Sequence, residues 1–179
     1  MMIQLNGVLK KYGINPNGVI QVGAHWAEEH EEFVKCGIKE FVYIEPCKEA
    51  FSFLVKKLLH KTNGVVYSNY VYDSQEGKIR IMNYACGNEE KEVPMYVSHQ
   101  NQGQSNSLLK PLLHTQQHPD IIFDDAEIVK MVTLDSLNAT GDLLVMDCQG
   151  YEGEVLKGAE ETLKSVKIIS CTVSTLPGR

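Results

Sequence analysis

The residues best suited to chemistry lie at the ends of short apolar runs. Val19–Val22 is followed by the small pair Gly23 and Ala24. The run Phe41–Ile44 is followed by Glu45. Such runs are typical of buried strands. Ligands of open parallel sheets bind outside the carboxyl ends of the strands. An acidic residue after the second strand often accepts hydrogen bonds from the ribose of such a ligand. We therefore expect a nucleotide-type site between Gly23 and Glu45.

The turn after the first strand argues against a pyrophosphate ligand. It reads Gly-Ala-His-Trp-Ala, which lacks the second and third glycines of the dinucleotide fingerprint, and the chain contains no GxxxxGK[ST] loop. The predicted helix that follows begins with Glu28, Glu29, Glu31 and Glu32. These carboxylates would repel a pyrophosphate and suit a ligand with positive charge, such as the sulfonium of S-adenosylmethionine. Acidic residues at the start of a helix are, however, usually ordinary partners of the helix dipole.

The candidates for a general base are Asp147, His114, His99 and His118. Asp147 follows the buried run Leu143–Met146 and should lie at the carboxyl end of a strand, although aspartate is also a common cap before a turn. His114 lies in a long polar loop, and imidazole suits base chemistry near neutral pH, although a solvated loop histidine is the competing interpretation. His99 and His118 are further histidines of this region.

Polar residues near these bases suit a hydroxylated acceptor. Ser105, Asn106 and Ser107 carry hydroxyl and amide groups that can bind a polyol, but the same residue types are common in turns. Gln149 and Glu152 either orient Asp147 or the acceptor, or cap the helix that follows. Two carboxylates at this spacing do not establish a metal site, and none is predicted.

The elements that position these residues alternate between strand and helix. Strands are predicted at Val19–Val22, Phe41–Ile44, Ile79–Ala85, Leu143–Met146 and Ile168–Val173, with further short candidates at Val93–Ser98 and Met131–Leu134. Helices are predicted at Val8–Tyr12, Glu28–Cys36, from Pro46 to the Asn63-Gly64 stop, and at Glu154–Val166, and a long loop at Asn101–Asp125. This alternation predicts a doubly wound α/β fold with a mostly parallel sheet.

Composition narrows the class of protein. The chain has 179 residues, which predicts a single domain over residues 1–179. A net charge of −6 argues against a nucleic-acid partner, and no apolar run is long enough for a membrane span. The N-terminus lacks the pattern of a secretory signal, and the five cysteines form no CxxC pair. We therefore expect a cytoplasmic protein with free thiols and no membrane partner.

The chain resembles the FkbM family of S-adenosylmethionine-dependent methyltransferases from about Leu9 to Val173. The resemblance rests on six blocks in the family's order: QVGAHWAEEHEEF, FVYIEP, ACGNEEKEVPMYVS, NQGQSNSLLKP, VTLDSL and DLLVMDCQGYEGEVLKGA. It implies a Rossmann-like methyltransferase sheet and transfer of a methyl group from S-adenosyl-L-methionine. The acceptor in this family is typically a hydroxyl oxygen on a sugar or secondary metabolite.

The resemblance also implies roles for individual residues. Gly23, Ala24 and His25 match the cofactor loop of the family. Glu45 matches the acidic position that binds ribose in the family. Ala85 and Cys86 match the segment that passes near the adenine. The block beside the methyl-transfer centre matches Asp147 and Gln149. Ala27 stands where the family commonly has glycine, and its methyl group could narrow the approach of the cofactor, although alanine is the smallest alternative and should be tolerated.

The sequence leads to one function and one alternative. We expect O-methylation of a small hydroxylated acceptor, including a glycan, with Asp147 or His114 as the base and Ser105 and Ser107 binding the acceptor. The alternative is a catalytically inactive methyltransferase-like binding or interaction domain. The chain ends soon after the fifth predicted strand, so we expect the C-terminal antiparallel hairpin to be absent. The fifth strand would then be an exposed edge of the sheet, and we expect two copies to form a homodimer through it.

Overall fold

The computed structural model describes residues 5–59, 69–73, 78–98, 102–110, 122–123 and 126–172. The helices among them are α1 Leu5–Tyr12, α2 His30–Lys35, α3 Lys48–Leu59 and α4 Glu152–Lys157, with 3₁₀ turns at Asp135–Leu137 and Thr162–Lys164. The strands are β1 Gly18–Val22, β2 Glu40–Ile44, β3 Asn69–Asp73, β4 Lys78–Met82, β5 Ala85–Cys86, β6 Lys91–Met95, β7 Glu127–Val132, β8 Leu143–Met146 and β9 Ile168–Cys171.

The main sheet has six strands in the order β3-β4-β2-β1-β8-β9. All neighbouring pairs are parallel except β3 with β4. Strand β1 lies near the centre, and its Val19 is in register with Phe41 on one side and Leu143 on the other. The predicted α/β architecture with a mostly parallel sheet is confirmed.

Strand β1 is buried along its whole length because both faces of the sheet are covered. Alternate residues enter different cores, as the two-residue period of a strand requires. Val19 packs with side chains of α2 and α3, such as Phe33 and Leu54, on one face. Ile20 packs with Val155 of α4 on the other face.

A small second sheet, in the order β5-β7-β6, lies beside the main one. The predicted parallel strand Ile79–Ala85 is confirmed as far as Met82, where β4 pairs with β2, but its last part is wrong, because Ala85–Cys86 pair with β7. Asn83 lies between the two strands, and its Nδ2 donates to the carbonyl oxygens of Glu45 and Pro46 at 2.8 and 3.0 Å. These hydrogen bonds turn the chain from one sheet to the other.

The predicted helix Glu154–Val166 is also wrong, because it is divided into α4 and the 3₁₀ turn Thr162–Lys164. Asp135 explains the division. Its backbone N–H donates to the carbonyl oxygen of Gly158 at 3.0 Å, which removes that carbonyl from a continuing helix. Its carboxylate accepts hydrogen bonds from the backbone N–H groups of Glu161 and Thr162 at 3.0 and 2.8 Å, and so starts a new turn.

Two other helices begin later than predicted. Helix α2 begins at His30 rather than Glu28, because His25 and Ala27 have positive φ angles and the Ala27 N–H closes a turn on Ala24. Helix α3 begins at Lys48 rather than Pro46. No helix among the described residues is long and apolar enough to cross a membrane.

Some predictions fall partly outside the described residues. Segment 102–110 is described within the predicted loop Asn101–Asp125, but His99, His114 and His118 lie outside the described residues. Strand β9 is at the end of the strand order, so it is an edge of the main sheet in the part of the chain that the structure describes. Residues 173–179 lie beyond that part, and the expectation of no C-terminal hairpin stays a prediction.

Candidate functional site

A cleft of about 410 Å³ opens at the carboxyl ends of β1, β2 and β8. The cleft is lined by residues of the turn after each of these strands, of the Tyr84–Cys86 stretch and of segment 102–110. Among the predicted site residues, the cleft is lined by Gly23, Ala24, His25, Glu45, Ala85, Cys86, Ser107, Asp147 and Gln149. The strand order therefore brings together residues that are more than 120 positions apart in the sequence.

The turn after β1 depends on glycine at position 23. Gly23 has a φ of +74°, in the left-handed region, and a Cβ atom added there would overlap the carbonyl oxygen of Asp147. The backbone N–H groups of Gly23 and Ala24 both donate to the carbonyl oxygen of Ile44 at 3.0 Å. This close approach of three strand ends leaves room for glycine alone and forms one side of the cleft.

Ala27 does not narrow the cleft, so that expectation is wrong. Its side chain is fully buried in the core formed with α2 and α3, and it is not among the residues that line the cleft. Its φ is +47°, a conformation that favours glycine. The Lys57 ammonium donates to the carbonyl oxygens of Trp26 and Ala27 at 2.8 and 3.1 Å, which holds this turn in place.

Glu45 is a buried carboxylate held by two backbone amides. Its Oε2 accepts a hydrogen bond from the His25 N–H and its Oε1 accepts one from the Cys47 N–H, both at 2.8 Å. Burial raises the pKa of Glu45 to about 7, although the two amide donors act in the opposite direction by favouring the carboxylate. Because Glu45 also lines the cleft, a ligand hydroxyl can reach a carboxyl group whose position is already set.

His25 connects the turn after β1 to segment 102–110. Its Nε2 lies 2.8 Å from the carbonyl oxygen of Gln102, which can only accept, and its Nδ1 lies 2.6 Å from Glu28 Oε1. The ring stacks on Trp26, with ring centres 4.6 Å apart, and Trp26 in turn contacts Phe53. Trp26 therefore packs beside the cleft, and His25 links two of its walls, a role that the sequence did not indicate.

Asp147 and Gln149 form a hydrogen-bonded pair at the end of β8. Gln149 Nε2 donates to Asp147 Oδ1 at 2.7 Å, and Gln149 has a φ of +52°. Glu152 instead holds its own turn, since its carboxylate accepts from the N–H groups of Cys148 and Gly150 at 2.8 and 3.1 Å. In this block Gln149 is placed to orient Asp147, whereas Glu152 holds the turn before α4, whose first residues have no side-chain cap.

The side of the cleft near β5 is less polar. Ala85 and Cys86 are buried, and burial raises the pKa of the Cys86 thiol to about 12, so this thiol stays neutral and packs as an apolar group. Tyr84 and Tyr151 line the cleft as well and were not expected there. A flat ligand such as a base can contact this surface through apolar and aromatic groups.

Segment 102–110 borders the cleft through some of its polar residues. The Ser107 hydroxyl donates to the Gln149 carbonyl oxygen at 3.1 Å and accepts from the Leu109 N–H at 3.0 Å. Asn106 also lines the cleft, and its Oδ1 accepts from the Ser98 N–H at 2.9 Å. Ser105 does not line the cleft, so the structure does not bring this predicted acceptor residue to the site.

The described residues contain no group of three or more His, Cys, Asp or Glu side chains placed to hold a metal ion. The carboxylates that line the cleft are Glu28, Glu29, Glu45 and Asp147, and no Lys or Arg is among the described lining residues. The charge of the site therefore favours a cationic ligand and disfavours a pyrophosphate.

The fold and the cleft define a Rossmann-like α/β protein with a ligand site at the carboxyl edge of a parallel sheet. The sequence model of the family described as Methyltransferase FkbM domain matches residues 21–178. The chain therefore belongs to the FkbM methyltransferase family, as the sequence blocks predicted, and this membership implies the use of S-adenosylmethionine. Comparisons with curated proteins and with solved structures returned no match.

Proposed function

We propose that this protein is an S-adenosylmethionine-dependent O-methyltransferase that acts on a small hydroxylated acceptor. The observation that carries the proposal is the placement of two carboxyl groups in one cleft, on the strands that flank β1. Glu45 follows β2 and Asp147 follows β8. Glu45 suits the ribose of the cofactor, and Asp147 suits the proton of the acceptor.

The donor set of the cleft fits the cofactor. The Glu45 carboxyl group is held by the N–H groups of His25 and Cys47, so its remaining lone pairs can accept from a ribose diol. The four lining carboxylates, with no lysine or arginine among the described lining residues, suit a sulfonium. Gly23–His25 would hold the amino-acid part of the cofactor, and Ala85 and Cys86 would border its adenine.

The cofactor, when bound, supplies a methyl group on a positively charged sulfur. Asp147 would accept the proton of the attacking hydroxyl, and the amide of Gln149, 2.7 Å from Asp147 Oδ1, would keep the carboxylate oriented. Segment 102–110 would exclude water from one side and place Ser107 next to the acceptor. His114 remains a second candidate base by the sequence argument alone.

The polar character of the Asn106 and Ser107 wall favours an acceptor with several hydroxyl groups, such as a sugar or a secondary metabolite.

We place the protein in the cytoplasm and expect neither nucleic acid nor membrane as a partner. A second copy of the chain is the proposed protein partner, through strand β9.

Two measurements test the proposal. Calorimetric titration should show binding of S-adenosylhomocysteine and no binding of NAD. Methyl transfer from labelled S-adenosylmethionine to a panel of sugars should then fall by about 10²–10⁴-fold in Asp147→Asn, because the base is lost. Glu160→Gln, which neutralises an exposed carboxylate outside the cleft, is the matched control and should keep full activity.

The outcomes separate the alternatives. Tight binding of NAD would contradict the methyltransferase proposal. Binding of S-adenosylhomocysteine without methyl transfer to any acceptor would favour the inactive binding domain. Full activity of Asp147→Asn would show that the proton goes to another group.

A further inference from the structure

Three apolar side chains line the cleft beside the polar groups proposed to bind the acceptor. They are Met95, Leu108 and Tyr151, and we call them the apolar patch. Met95 is buried in a cluster that includes Val129 and Met131 of β7. Leu108 and Tyr151 are partly buried and pack against that cluster. The core of the second sheet therefore supports the apolar patch from below.

Leu108 is held in the wall of the cleft by the residue before it. Ser107 exchanges two backbone hydrogen bonds with Tyr96, the residue after Met95, at 2.9 and 3.1 Å. The Ser107 hydroxyl also accepts a hydrogen bond from the Leu109 N–H at 3.0 Å. These bonds fix the backbone on both sides of Leu108, so the place of its side chain is set.

Tyr151 lies on the side of the cleft proposed for methyl transfer. It is two positions after Gln149, whose amide donates to Asp147 Oδ1 at 2.7 Å. The Gln149 carbonyl oxygen accepts from the Ser107 hydroxyl at 3.1 Å, which joins the two stretches that carry the apolar patch. The apolar patch therefore adjoins the proposed base, whereas Tyr84 adjoins the stretch proposed for adenine.

An apolar surface beside a polar base favours an acceptor of mixed character. A ligand hydroxyl placed over Leu108 and Tyr151 would lose hydrogen bonds to water and gain few in return. A ring or an aliphatic chain placed there removes apolar surface from water on both partners, which is favourable. An aromatic ring can also stack on the ring of Tyr151.

We propose that the acceptor carries an aromatic or aliphatic group next to its hydroxylated part, and that Tyr151 and Leu108 select this group. The proposal rests on the proposed function and narrows it, because an aryl glycoside fits the cleft better than a free sugar does. Asn106 and Ser107 would bind the hydroxylated part, and the apolar patch would bind the other. Tyr151 determines specificity and takes no part in proton transfer.

The binding of two glucosides tests the proposal without any need for turnover. Phenyl glucoside and methyl glucoside, which differ only in the apolar group, are titrated by calorimetry into protein saturated with S-adenosylhomocysteine. Wild-type protein should bind phenyl glucoside about 10- to 100-fold more tightly, because the apolar surface of a ring is removed from water. Tyr151→Ala should reduce this preference to within about 3-fold, and Leu108→Ala should change it in the same direction.

Two control variants separate the ring of Tyr151 from other effects. Tyr151→Phe keeps the ring and removes the hydroxyl, so it should keep the preference for phenyl glucoside. Tyr12→Ala removes a tyrosine that is 64% exposed on α1 and is not among the residues that line the cleft, and it should also keep the preference. Loss of the preference in Tyr151→Phe would overturn the proposal, because the hydroxyl would then be the group that binds.

The other outcomes also decide the question. Equal binding of the two glucosides by wild-type protein, or binding of neither, would overturn the proposal. A clear fall in affinity for S-adenosylhomocysteine in Tyr151→Ala, with an unchanged melting curve, would do the same, since Tyr151 would then contact the cofactor. If Tyr151→Ala does not fold, wild-type protein and Leu108→Ala provide the test. Failure of wild-type protein to bind S-adenosylhomocysteine would instead contradict the proposed function, and titrations of the glucosides without it would still test the apolar patch.

Discussion

Glu45 is subject to two opposing influences on its charge. Burial favours the protonated carboxyl group, whereas the N–H groups of His25 and Cys47 favour the carboxylate. Burial is the larger effect, and the pKa rises from 4.5 to about 7. The folded protein therefore holds this proton more tightly than the unfolded chain does.

The raised pKa of Glu45 predicts a pH dependence of stability. Below pH 4.5 the group is protonated in both states, and its contribution to the free energy of unfolding is fully present. As the pH rises to about 7 the unfolded chain ionises first, and a contribution on the order of 3 kcal/mol is lost. Urea denaturation from pH 4.5 to 8 should show this fall in wild type but not in Glu45→Gln. Parallel pH profiles for the two proteins would contradict the prediction.

Residues at strand ends were the predictable part of the site. Gly23, Glu45 and Asp147 follow apolar runs, and the sequence therefore indicates that they lie at the edge of the sheet. Gln21, which also lines the cleft, was missed because it stands inside such a run, where the pattern predicts core packing. Tyr84 was missed because it falls inside the predicted strand Ile79–Ala85, where an aromatic residue is expected to pack in the core. In the structure it lies between β4 and β5 and lines the cleft.

At the scale of the element, the division after α4 shows how a distant contact changes a helix. Val155, Leu156 and Leu163 have the spacing of a single apolar stripe, and the sequence therefore predicted one helix. Gly158 is instead packed so closely on Gly87 that a Cβ atom would overlap the Gly87 carbonyl oxygen. Local spacing carries no information on this approach, because the two glycines are far apart in the chain.

Two glycine substitutions test this account of α4. Gly158→Ala should lower the free energy of unfolding by about 1–3 kcal/mol, since the added methyl group forces the β5–β7 region to shift. Gly153→Ala, at a position in α4 where a Cβ atom meets nothing within 4 Å, should raise it by about 0.5–1 kcal/mol. Chemical denaturation of both variants would measure the difference. Equal effects would show that Gly158 is not closely packed.

In the molecule as a whole, the alternation of strands and helices was enough to predict the five parallel strands of the main sheet but not the antiparallel strand β3. The central strands β2, β1 and β8 are mostly apolar runs, whereas β4 alternates basic and apolar residues. The second sheet was not predicted because β5 has only two residues, Ala85 and Cys86, and depends on pairing with β7. Pairing between short, distant segments leaves no periodic signal in the sequence.

The edge strand β9 carries a prediction about association. Among the described residues β9 is an edge strand, its Ile169 is 46% exposed, and an edge with apolar side chains favours pairing between copies. We expect wild-type protein to dimerise in light-scattering measurements at high concentration and Ile169→Lys to shift it toward monomer. Ile128→Lys, at a residue that is 55% exposed in the other sheet, should leave the dimer intact. A monomer at every concentration of wild-type protein would contradict this prediction.

The hydrogen bond between His25 and the Gln102 carbonyl oxygen has a consequence for the binding of two ligands in one cleft. It joins the turn expected to hold the cofactor to the segment expected to border the acceptor, so the two proposed ligands would contact one shared wall. A ligand that tightens this wall raises the affinity for the other, and linkage requires the same factor in both directions. Such reciprocal coupling would favour the complex with both ligands bound, without fixing which of them binds first.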